Sequence, residues 1–127
     1  MTDCPDSTPV SKRLTDLANK ACIPLTVTLE ITQRCNLACF HCYNFDRADS
    51  SKLPNNELKP AEILRLIDEL AELGTLFIAF SGGEATTDKN LESYIRRARQ
   101  HFMRVTIKSN GIAPAGLYTR LVEAGAS

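Results

Sequence analysis

Directly behind a strictly alternating segment, "LTVTLEI" (residues 25–31), the chain sets three cysteines within eight residues, "CNLACFHC" (35–42), with no fourth nearby. Leu25, Val27, Leu29 and Ile31 fall on one side and Thr26, Thr28 and Glu30 on the other, the period-two pattern of a strand with one apolar face. Any fold must therefore deliver three thiols to the end of that strand. Soft thiolates select zinc, copper(I) or iron-sulfur clusters. Zinc fingers usually bring two ligand pairs across a longer spacer, and neither a second cysteine pair nor a histidine pair is present. His41, wedged between Cys39 and Cys42, competes with its neighbour for the same metal and makes a poor ligand. A 4Fe-4S cubane normally takes four thiolates, so three leave one iron open to a substrate or cofactor.

The patterning beyond the cysteines narrows the fold. "PAEILRLIDELAELG" carries Ile63, Leu66, Ile67, Leu70 and Leu73 at helical spacing, with Pro60 in its first turn and Gly74 as a stop. "TLFIAF" (75–80) follows at once, a continuous apolar run suited to a parallel strand covered on both faces. "DKNLESYIRRARQHF" predicts a second helix with Leu91, Tyr94, Ile95, Ala98 and Phe102 on its stripe and a solvated outer face of Arg96, Arg97 and Arg99. "RVTIK" is a third strand, "SNGIAP" a turn and "AGLYTRLVEAG" a further helix, while "NFDRADSSKLPNNEL" reads as a loop. Residues 1–23 form a leader with one short helix around Ser11 to Lys20, and the patterned domain runs over 24–127.

Three strand-helix units in succession imply an α/β fold with a parallel sheet, either doubly wound or part of a barrel. The polar faces of the first and third strands, Thr26, Thr28 and Glu30 with Thr106 and Lys108, favour a barrel whose lumen holds something polar. In both architectures the loops after the strands gather at one end, where active sites of such folds lie. Those loops are the cysteine loop, "SGGEATT" and "SNG".

Fifteen basic and fifteen acidic side chains cancel, so the overall balance gives no nucleic-acid footprint. A polar, proline-containing start replaces the apolar core of a signal peptide, and no run has the length of a membrane span, which makes a cytoplasmic protein with reduced thiols the expectation. Cys4 and Cys22 stand apart from the cluster and are expected to be bystanders. Glu30 is either a lumen residue or a buried carboxylate paired with a neighbour, for which Lys108 is a candidate, and His101 and Tyr43 are surface or packing residues.

The spacing Cys-x3-Cys-x2-Cys after a strand, "SGGEAT" after the second and "KSNG" after the third together resemble the radical S-adenosylmethionine (radical SAM) superfamily. The resemblance covers roughly residues 24–127 and is closest to the branch that modifies peptides and proteins. It implies that Cys35, Cys39 and Cys42 hold a 4Fe-4S cluster and that S-adenosylmethionine chelates the open iron. It further implies that Gly82, Gly83 and Glu84 lie against the methionine amino group, that His41 packs beside the adenine, and that Ser109 and Asn110 face the same cavity. The glycines would let the backbone approach that ligand, and Glu84 would accept from its ammonium.

The implied reaction is reductive cleavage to a 5'-deoxyadenosyl radical, fed by a flavodoxin- or ferredoxin-like electron donor and acting on a peptide or protein. Family members commonly close a partial barrel of six units. Only about three are present here, so the third strand is expected to keep an open edge, and the chain to be a fragment or to need a partner that completes the sheet. A module that binds cluster and cofactor without turnover, and a zinc-stabilised interaction domain, are the alternatives.

Overall fold

A computed structural model describes residues 9–43 and 57–127. The elements in chain order are α1 (Val10–Lys20), β1 (Thr26–Thr32), α2 (Pro60–Leu73), β2 (Phe77–Gly82), α3 (Leu91–Gln100), β3 (Arg104–Ile107) and α4 (Ala115–Glu123), with one 3-10 turn over Ala85–Thr87. The strands lie in the order β1-β2-β3, and both pairs are parallel. Helix α2 begins at Pro60, whose missing N–H would have no partner in a first turn anyway, and the Lys59 N–H donates to Glu62 Oε2 at 2.7 Å. Cys4 and most of the expected loop over 44–58 fall outside the described residues.

Ile63, Ile67 and Leu70 of α2, Leu91, Tyr94, Ile95 and Ala98 of α3 and Leu121 of α4 share one core with Ile31, Ile78, Phe80 and Val105 of the sheet. Full burial of each large aliphatic side chain stabilises by about 2 kcal/mol. All three helices thus cover one face of the sheet. Its other face carries Thr26, Thr28, Glu30, Thr106 and Lys108, all exposed. A doubly wound sheet would bury both faces, so the one-sided arrangement is that of a partial (β/α) barrel with a polar lumen.

Four apolar side chains depart from the periodic reading, the first being Leu76, 42% exposed just ahead of β2. Phe77 opens β2 on the polar face and is 42% exposed, so this strand is not covered on both sides along its whole length. Leu73 is 55% exposed, because at the last position of α2 the chain is already leaving the sheet. Phe102 stands 92% exposed at φ +61°, since α3 ends at Gln100 and a left-handed residue is needed to turn the chain into β3. Met103 takes the buried place instead. The outer edge of β3 is not wholly open: Ala126 forms a parallel bridge with Val105, and the Ser127 N–H donates to the Val105 carbonyl at 2.9 Å.

The basic face of α3 is paired rather than simply solvated. Arg97 grips both oxygens of Asp68 on α2, at 2.6 and 2.7 Å, and His101 Nε2 lies 2.7 Å from Asp68 Oδ1. Hydrogen bonds from Arg97 and then His101 hold the Asp68 carboxyl down to about 2. A depressed folded value means that this contribution to stability is complete above the ordinary aspartate range and disappears as pH falls toward 2. Asp68→Asn is therefore expected to flatten the acid limb between pH 4 and 2, followed by far-UV circular dichroism. The pair is solvent-exposed, so its effect at neutral pH is small.

Candidate functional site

The three loops that follow the strands meet around one cavity of about 530 Å³, within the range of small-molecule sites. Cys35, Cys39 and Cys42 line it from the first loop, Ser81 to Glu84 from the second, and Lys108, Ser109 and Asn110 from the third. All three thiols are free, and the Cys42 N–H donating to the Cys39 carbonyl at 3.1 Å curls the loop between them. Among the described residues no three His, Cys, Asp or Glu side chains gather as around a single ion. A lone zinc holds each sulfur about 2.3 Å from one point, whereas a cubane presents a separate iron to each thiolate. The donor set and the room beside it fit the cluster. Cys22 is exposed and does not line this cavity.

The glycine pair also lies against the protein's own backbone. A Cβ on Gly82 would lie 2.2 Å from the Thr32 carbonyl oxygen, and one on Gly83 would lie 2.1 Å from that of Arg34. What approaches these glycines closely is the chain that leaves β1 for the cysteines. Two hydrogen bonds of 2.8 Å seal the contact, Gly83 N–H to the Thr32 carbonyl and Glu84 N–H to the Arg34 carbonyl. On the far side of this segment, Glu57 accepts from the Gln33 N–H at 2.6 Å and from the Thr32 hydroxyl at 3.1 Å.

Glu84 is turned inward and is 1% exposed. Its Oε1 accepts from the Thr86 hydroxyl at 2.6 Å and the Thr86 N–H at 3.1 Å, and its Oε2 accepts from the Asn110 N–H at 2.7 Å. Burial alone would raise this carboxyl. The donors at Asn110, Thr86 and Ser109 outweigh it and hold the group below the ordinary glutamate range. The carboxylate read as a partner for a ligand ammonium is thus occupied by the protein, and it ties the β2 loop to the β3 loop.

Asn110 continues the tie. Its Nδ2 donates to Asn36 Oδ1 at 2.7 Å, and Asn36 Nδ2 donates to the Ile112 carbonyl at 2.9 Å. Asn36 sits between the first two cysteines, so the thiol loop, the Gly-Gly-Glu loop and the Asn-Gly turn are joined by one chain of hydrogen bonds. Asn36 and Glu57 were missed in the sequence because their partners lie far away along the chain.

Along the lumen wall the expected Glu30–Lys108 pair does not form. Glu30 accepts from the Tyr43 hydroxyl at 2.6 Å and from Gln33 Nε2 at 3.3 Å, while Lys108 Nζ reaches the Thr28 hydroxyl at 3.5 Å. The two strand ends stand apart with Ser81 between them, and Tyr43, just past the last cysteine, reaches Glu30 first. Tyr43 thereby anchors the cysteine loop to β1 and is not mere packing. His41 and Phe40 lie edge to face, ring centroids 5.1 Å apart, both exposed on the cavity wall.

Comparison with known proteins places this site in context. The sequence model of the radical SAM superfamily matches residues 29–127. Fe-coproporphyrin III synthase of Methanosarcina barkeri is 43% identical over 67% of this chain and 21% of its own length. PqqA peptide cyclase of Bradyrhizobium diazoefficiens is 42% identical over 77% of the chain and 24% of its own. Mycofactocin maturase MftC of Mycobacterium tuberculosis is 28% identical over 84% of the chain and 26% of its own. The chain spans about a fifth to a third of the length of such relatives.

Proposed function

The chain belongs to the radical SAM superfamily, whose members use a 4Fe-4S cluster and S-adenosylmethionine, and on that premise we propose that Cys35, Cys39 and Cys42 hold the cluster beside a cofactor site formed by the β2 and β3 loops. The observation that carries this reading is that the three thiols, the Gly-Gly-Glu segment and Asn110 line one cavity. When bound, the two groups supply reductive cleavage to methionine and a 5'-deoxyadenosyl radical that abstracts hydrogen from the substrate. The protein supplies position: the thiols fix the cluster, His41 flanks the adenine, and the backbone at Gly82 and Gly83 faces the methionine end. Glu84 acts here as the residue that holds Asn110 and the glycine loop in place.

The substrate is a peptide or protein. A relative named PqqA peptide cyclase supports that class, and one named mycofactocin maturase stands beside it. Electrons come from a flavodoxin- or ferredoxin-like donor in the cytoplasm. No described helix is long and apolar enough to cross a membrane. The polar lumen face is closed by further strands, on a partner chain or on more of the same polypeptide. That open face also favours a second reading, a module that binds cluster and cofactor but does not turn over.

Anaerobic treatment with iron and sulfide tests the proposal. The expected product is a brown protein with about four iron and four sulfide per chain that yields 5'-deoxyadenosine under strong reductant. Cluster and cofactor binding without 5'-deoxyadenosine selects the second reading. Stoichiometric zinc in a colourless protein, or a chromophore undiminished when all three cysteines are alanine, rejects both.

A further inference from the structure

The parallel register sets one row of lumen-facing side chains across the mouth of the sheet. Glu30 is paired with Ser81, and Lys108 follows the last β2–β3 pair, Phe80 with Ile107, its N–H donating to the Phe80 carbonyl at 2.9 Å. Two strand spacings separate Glu30 from Lys108, roughly 10 Å. The two ends of the row differ. Glu30 is engaged by Tyr43 and Gln33, whereas among the described residues the Lys108 ammonium has a single long contact, to the Thr28 hydroxyl at 3.5 Å. Among the described residues no carboxylate lies within ion-pair distance of it, and it is the one lysine or arginine that lines the cavity. The acid on the same wall, Glu84, is buried and already accepts from Thr86 and Asn110.

We infer that Lys108 is the recognition point for a carboxylate of the substrate peptide, an inference that rests on the peptide-modifying reading above. An ammonium facing a cavity is stabilised by a matching anion, and among the described residues this one meets only the Thr28 hydroxyl. Its direction separates the two sources of a carboxylate. Thr28 lies four residues back along β1 from Thr32, about 13 Å, so the ammonium points down the lumen and away from the thiols. The cofactor's own carboxylate belongs at the sulfur end. Three thiolates at that end also repel an acidic substrate, and a cation on the lumen wall offsets the repulsion. Ser81, beside Lys108 in the row, offers the carboxylate a second donor.

Equilibrium dialysis of two probes, acetyl-Ala-Glu-Ala-amide and acetyl-Ala-Gln-Ala-amide, on cluster-reconstituted protein tests the inference. The glutamate peptide is expected to bind at least fivefold tighter. That preference falls to within twofold in Lys108→Met and survives in Lys108→Arg, while the affinity for S-adenosylmethionine changes less than twofold. Equal binding of the two peptides, absence of binding by either, or a preference that persists in Lys108→Met overturns it. So does a Lys108→Met protein that loses S-adenosylmethionine affinity and keeps the peptide preference, since the lysine then serves the cofactor. Iron and sulfide contents of the same samples separate the failures: protein without cluster counts against the parent reading, and loaded protein without the preference counts against Lys108.

Discussion

Alanine at position 83 is expected to cost about 3 kcal/mol of stability, at the upper end of what overpacking a tight contact removes, and to lower the iron retained after reconstitution. The new Cβ would run into the backbone of the Gln33–Arg34 stretch, with the Arg34 carbonyl oxygen at 2.1 Å and the Gln33 carbonyl oxygen at 2.6 Å. No side chain can rotate to make room. Relief requires the segment that leads to Cys35 to move out, and that movement breaks the Gly83 and Glu84 N–H bonds to Thr32 and Arg34. Gly82→Ala should behave in the same way, with the added strain of a left-handed φ of +140°. Denaturant midpoints and iron per chain, measured on the same preparations, check both variants. A Gly83→Ala protein as stable as the parent and fully loaded would show that the glycine serves the ligand and not the neighbouring backbone.

Glu84→Gln is the second large effect. Every partner of this carboxylate is a donor, so an amide in its place turns an N–H toward the Asn110 N–H or toward Thr86, whichever way it lies. The loss of charge-assisted bonds in a buried site is expected to cost about 2–3 kcal/mol. Alanine, which leaves those donors without this acceptor, should cost more. The depressed carboxyl also sets a pH dependence. Stability supplied by Glu84 is complete above the ordinary glutamate range and is lost as pH falls through its lower folded value, so the glutamine variant should converge on the parent in acid. Chemical denaturation at pH 7 and at pH 3 reads both points; a deficit of the same size at the two values would assign the defect to packing instead of charge.

The order of strands and helices was legible because each element carries its own period: alternation over Thr26–Thr32, a 3.6-residue stripe through Ile63, Ile67 and Leu70, and a compact apolar run around Ile78. The thiol spacing and the two loop motifs were legible for the same local reason. Leu73 and Phe102 misled because a stripe can run on past the point where a packing partner ends. The bonds that shape the site left no such trace. Asn36 and Asn110 are 74 residues apart, and Glu84 and Asn110 are 26 apart. Their pairing depends on how parallel strands bring loop ends together, which no local pattern encodes. The close approach of the Thr32–Arg34 backbone to Gly82 and Gly83 is likewise a contact between segments distant in the chain.

The packing of α2, α3 and α4 on one side of the sheet has a consequence for every midpoint measured on this protein. The denaturant slope of unfolding scales with the surface newly exposed, and here Thr26, Thr28, Glu30, Thr106 and Lys108 on the sheet's other face are exposed before unfolding starts. A shallower slope divides any given loss of free energy by a smaller number, so a modest defect displaces the transition farther along the urea axis than it would in a closed barrel.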